Sequence, residues 1–179
     1  MMNLSRGGRL LLTLLLAAYG FALLEHPENG SFVDSVDLPI HETGHLVFSP
    51  FGETVQFMGG TILQIVMPCV FVGYFLRRRD RHAASVALWW VGQNLWNVSV
   101  YVRDARAQDL PLVGGGEHDW AYLLGRFGRL SQDQQIGHSV WTAGVVLYLV
   151  AIVGGIFALT GRAPAGDSAD AADSATDGA

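Results

Sequence analysis

Four runs of apolar residues, at 10–24, 57–76, 83–102 and 136–159, constrain this chain more than any other feature. A helical span of a bilayer needs about 20 such residues. Inside lipid only a helix or a closed barrel satisfies every backbone polar group. The runs approach that length, the third turning polar toward its end. They predict an all-α integral membrane bundle of four transmembrane helices. Composition agrees: half of the 179 residues are hydrophobic and only 15% are charged, against about 25% in an ordinary soluble domain. All 11 basic residues are Arg, and 16 acids leave a net charge of -5, so no basic face invites nucleic acid. Cys69 stands alone and can form no internal disulfide.

The first run, LLLTLLLAAYGFALL, follows Arg6 and Arg9 and continues into Glu25-His26-Pro27-Glu28 without a small-x-small cleavage site. It reads as a retained, slightly short span rather than a cleaved signal. Arginines then set the orientation. With the N-terminus inside, Arg6, Arg9, Arg77, Arg78, Arg79, Arg81 and Arg162 are cytoplasmic; Arg103, Arg106, Arg126 and Arg129 lie on the other side. Seven against four places both termini in the cytoplasm. Residues 1–162 then form a four-span membrane domain. Residues 163–179, rich in Asp, Ala and Ser without large apolar side chains, read as a disordered acidic cytoplasmic tail.

Chemistry enters at His41-Glu42-Thr43-Gly44-His45, an H-E-x-x-H pattern just before the second run. On a helix, positions i and i+4 share a face, so two imidazoles can hold one metal ion with Glu42 beside it. The pattern predicts a short helix there. Neutral imidazoles suit Zn²⁺, which brings the pKa of a bound water toward about 7, and a neighbouring carboxylate can take that water's proton.

A third ligand is required. His82 follows the arginine run and belongs to the opposite side, and His26 sits in an ordinary turn sequence. His118, after Gly114-Gly115-Gly116-Glu117, and His138, in the fourth run, both share the predicted side of the motif. Asp119 and Asp104 are the carboxylate alternatives. Ser131 and Gln134 have capping-box spacing, which would open the fourth helix and put His138 about two turns inside it. In the third run, Asn94, Asn97, Tyr101 and Asp104 are spaced i, i+3, i+7 and i+10, within a sector of roughly 80°. Polar groups facing lipid are costly, so this stripe should face inward, supporting the metal ligands or binding substrate. Gly59-Gly60, Gln64 and Pro68 read as close helix packing and a bend.

HETGH with its apolar, glycine-containing surroundings (HLVFSPFGETVQFMGG) resembles the membrane-embedded zinc metallopeptidases of the site-2 protease type. The resemblance covers well under a fifth of the chain. It implies that His41 and His45 ligate zinc, that Glu42 is the catalytic base, and that a later Asp on another span completes the site. That family's later Asp-Gly motif has no counterpart in the apolar runs; the one Asp-Gly pair is Asp177-Gly178. Its sites also open toward the cytoplasm, whereas arginine counting puts this one toward the extracytoplasmic face.

The expectation is therefore a zinc-dependent membrane hydrolase, a metallopeptidase first, with membrane lipids around it and a peptide or lipid substrate. A metal-dependent lipid amidase or esterase and a non-catalytic zinc-binding membrane protein are the alternatives.

Overall fold

A computed structural model describes residues 4–25, 30–111 and 117–160. Among these, all regular structure is helical: α1 (Arg6–Glu25), α2 (Asp34–Phe48), α3 (Glu53–Arg77), α4 (Arg81–Arg103), α5 (Asp119–Arg126) and α6 (Asp133–Thr160). Short 3₁₀ turns, Ser49–Phe51 and Leu130–Gln132, precede α3 and α6. His26 and the tail after Thr160 lie outside the described residues.

Three helices, α1, α3 and the stretch Leu130–Thr160 containing α6, are long and apolar enough to cross a membrane. The third predicted span forms a helix too, but α4 differs in character. It carries the largest share of the buried residues, including His82, Gln93, Asn94 and Ser99. Its polar side chains face inward because every other long helix packs around it. That is why its sequence is less apolar than its neighbours'.

Small residues set the helix spacing. Gly137, Gly144, Ala151 and Gly155 form a buried stripe along α6 together with Tyr148. A Cβ at Gly144 would lie 2.5 Å from the Trp96 ring, and one at Gly92 3.0 Å from the Gly144 carbonyl, so α4 and α6 meet almost backbone to backbone. Trp89, Trp96, Tyr148 and Ala151 form the core of this seam. α1 is tied on by three bonds to its backbone carbonyls: Trp89 Nε1 donates to Leu16 at 3.0 Å, Tyr148 Oη to Ala17 at 2.8 Å, and His82 Nε2 to Arg9 at 3.0 Å.

The α3–α4 turn has Arg79 at a positive φ of 58°, and Asp80 caps α4 by accepting from the Ala83 amide. Asp80 also lies 3.8 Å from Arg9. The start of α1 and the Arg77–Arg81 turn therefore share one end of the bundle. α2 doubles back beside α3 at the other end, its entry held level with Gln93 by a bond from Gln93 to Asp34. Pro68 is buried within an uninterrupted α3. α6 starts at Asp133, whose carboxylate accepts from the Gln134 amide and from Arg106 Nε; the capping bond expected from Ser131 is not formed.

Candidate metal centre

The HETGH segment lies within α2, so His41 and His45 stand one turn apart on the same face. That face meets α3 at an unusually close approach. Gly44 packs on the backbone of Gly59 and Gly60, and a Cβ on Gly60 would fall 2.5 Å from His41 Nε2 and 2.6 Å from His45 Nε2. Gly60 is thus the floor beneath both rings, and the absent side chain is what leaves room for them.

Each ring is oriented from behind. His45 Nδ1 donates to the Gln56 carbonyl at 2.8 Å. His41 Nδ1 donates to Gln64 Oε1 at 3.0 Å, and Gln64 Nε2 in turn donates to Asn97 Oδ1 at 3.0 Å. Hydrogen bonds of this kind fix the tautomer and leave Nε2 as the ligating nitrogen. Both Nε2 atoms point to Asp119, 2.9 Å and 3.2 Å from its Oδ2. The three atoms lie within 4.8 Å of one another, a grouping able to hold a metal ion. With both Nδ1 hydrogens committed, three lone-pair donors converge, and only a cation or a proton can hold them together.

In the absence of a metal, a proton can do so. The bond to Asp119 lifts the His45 pKa to about 9, against the opposing effect of burial. Burial pushes the Asp119 carboxyl up, but its bonds to His41 and His45 outweigh this and bring it below its ordinary value.

Asp119 opens α5, and its position depends on its neighbours. His118 is fully buried and caps α5, its Nδ1 accepting from the Ala121 amide at 3.2 Å. Its other nitrogen points to Asp104 Oδ2 at 3.3 Å. Asp104 also accepts from the Asp109 and Leu110 amides, which folds the segment after α4 back on itself. Tyr101 stacks on His118 with centroids 4.1 Å apart and makes a T-shaped contact with the His41 ring at 6.5 Å. From the other side Tyr122 donates to Glu53 at 2.9 Å and stacks on Phe57, clamping α5 to the start of α3.

The predicted residues therefore separate into groups. His41, His45 and Asp119 converge, so the third donor in this geometry is a carboxylate rather than an imidazole. His118 stands behind Asp119 and faces Asp104 instead of the group. His138 lies apart: it is exposed on α6 and stacked on Trp141. Its helix turns that residue outward, a rotation that depth along the sequence does not specify. Glu42 is exposed, beside the group on α2. The polar stripe divides: Asn97 supports His41 through Gln64, Tyr101 and Asp104 support His118, and Asn94 bonds to Asp37 elsewhere. His82 is buried at the arginine end, beside Thr13. Sequence reasoning passed over Gln56, Gly60 and Gln64 as site components. The i+4 step from Gly60 to Gln64 was the available signal, because it puts a small residue and an amide on one face.

Comparison with known proteins adds no further constraint: no family profile, curated protein or solved structure matches the chain.

Proposed function

We propose that this chain is an integral membrane zinc-dependent hydrolase, and within that class a metallopeptidase. The observation that carries the reading is the donor set: two imidazole nitrogens and one carboxylate oxygen within 4.8 Å, with no fourth His, Cys, Asp or Glu in the group among the described residues. Structural zinc sites are closed by four protein ligands, whereas catalytic ones use three and keep a position open. Three donors fit the catalytic pattern better than a structural clip.

Zinc, when bound, supplies a Lewis-acid centre that brings the pKa of water toward about 7. His41, His45 and Asp119 hold it there. Glu42, next to His41 on the same helix, takes the proton from water as general base. In this reading α4 crosses the bilayer with α1, α3 and α6, its polar face shielded by them. At about 1.5 Å per residue its 23 residues are long enough to do so. The arginine-rich end is cytoplasmic and the His/Asp group faces the other side.

An amide or ester of a lipid is the second substrate reading. Leu46, Val47 and Phe51 are 75%, 52% and 68% exposed on and just beyond the helix that carries the group. An apolar substrate arriving along the bilayer would meet that surface.

The decisive experiment compares wild type with Glu42→Gln, which keeps size and both imidazoles. Zinc content by elemental analysis should stay near one per chain. Hydrolysis of unfolded or membrane-spanning peptides should fall by about 10²–10⁴-fold, the usual contribution of a general base. Cleavage of lipid amides but not of peptides would select the second reading. Wild-type protein that takes up no metal, or full activity in Glu42→Gln, overturns the hydrolase reading.

A further inference from the structure

A second polar cluster lies between α2 and α4, one turn along α2 from His41. Asp37, Gln93 and Asn94 are 1%, 2% and 0% exposed. Asp37 Oδ1 accepts from Trp90 Nε1 at 2.8 Å and from Asn94 Nδ2 at 3.3 Å. Asn94 Nδ2 also donates to the Trp90 carbonyl, and Gln93 Nε2 donates to Asp34 Oδ1 at 2.7 Å. Trp90 Nε1 and both N–H groups of Asn94 are thereby used, and Gln93 has one of its two N–H groups engaged. Three oxygens remain with no hydrogen-bond partner among the described residues: Asp37 Oδ2, Gln93 Oε1 and Asn94 Oδ1.

Buried acceptors without partners are costly, and a buried carboxylate is costlier still. Asn94 lies nine residues before the end of α4, or about 14 Å inside the bundle, where ionisable groups default to functional roles. A proton on Asp37 would add one donor for the two amide oxygens. A hard cation, unlike a proton, takes several oxygen donors at once.

We propose that the α2–α4 seam binds a hard cation through Asp37, Gln93 and Asn94, as a site separate from the His/Asp group. The donors are all oxygens, one carboxylate and two amides, which suit an alkali or alkaline-earth ion rather than zinc. Na⁺ balances the one fully buried carboxylate; Ca²⁺ balances Asp37 together with Asp34, one turn away on α2. Both are oxygen-seeking ions of similar size, and the experiment separates them. Bound here, the ion cross-links α2 to α4 and steadies the helix that carries His41 and His45.

The test uses the full chain purified in detergent, cleared of ions with chelator and held in choline chloride at fixed ionic strength and fixed alkaline pH. NaCl or CaCl₂ is then exchanged for choline chloride, and thermal unfolding is followed alongside equilibrium dialysis with radioactive sodium or calcium. A ligand that binds only the folded state raises its midpoint saturably. One of the two ions should raise the midpoint by several degrees and bind near one per chain. The response should persist in His41→Ala, where the other centre is broken, and vanish in Asp37→Asn. Dialysis on wild type decides the matter if Asp37→Asn does not fold. Absence of saturable binding of either ion to wild type overturns the proposal, and so does a response that survives in Asp37→Asn or is lost in His41→Ala. Because His41→Ala keeps this site and removes the other, failure here is distinguishable from failure of the zinc reading.

Discussion

Adding a single methyl group at Gly60 places carbon 2.5 Å from His41 Nε2 and 2.6 Å from His45 Nε2, well inside contact distance. Gly60→Ala should therefore displace both rings at once. We expect zinc affinity to fall by at least the 10–100-fold seen when a supporting contact is lost, while helix content by circular dichroism stays the same. Unchanged zinc affinity in Gly60→Ala would show that the rings do not meet over this residue. His45 makes a second prediction, about pH. Its folded pKa, about 9, exceeds the ordinary 6.5 because Asp119 favours the charged ring. The stabilisation this gives to metal-free protein is complete below about pH 6.5 and lost as pH rises through about 9. Zinc must displace that same proton, so its apparent affinity should climb over the same interval. Melts in chelator and competition titrations should thus move in opposite directions with pH.

At the scale of elements, the group depends on how α5 is delivered. α5 has only eight residues, too few to hold its own shape. His118 provides its cap, and burial against Tyr101 and Asp104 fixes where the cap sits. Loss of a cap typically costs about 1 kcal/mol, and the vacated space adds to that. His118→Ala should lower the melting midpoint and, more tellingly, lower zinc affinity although no ligand has been removed. If instead His118 were itself a ligand, added imidazole should restore zinc binding to the variant. No such rescue is expected, because Asp119, not His118, meets the two α2 rings.

For the whole molecule, the arrangement of ends carries the prediction. Arg9 meets Asp80 at one end of the bundle, where the Arg77–Arg81 turn also lies. His41, His45 and Asp119 sit beyond Gln93 and Asn97 toward the other. Under the arginine rule the crowded end faces the cytoplasm. A reporter fused after Arg162 should therefore score as cytoplasmic, and one inserted near Gln108, between α4 and α5, as extracytoplasmic. The reverse pattern would turn the His/Asp group toward the cytoplasm, as in the metallopeptidases whose motif this one resembles.

Runs of apolar residues are read directly from sequence because lipid and core burial both act on one residue at a time. All-helical architecture, the α2 helix and the pairing of His41 with His45 were legible for that reason, since periodicity within one helix is local. The character of α4 was not. Whether a moderately apolar helix faces lipid or its neighbours depends on what surrounds it, and the partners of Gln93, Asn94 and Asn97 are supplied by α2 and α3. The third donor was equally out of reach. His118, His138, Asp104 and Asp119 are all plausible by residue type and side, and only helix rotation and the cap on α5 separate them. Tertiary packing turned His138 outward, buried His118 as a support and brought Asp119 to the α2 imidazoles, 78 residues from His41 and 74 from His45. Long-range convergence of this kind is a property of three-dimensional closure, and local pattern carries no record of it.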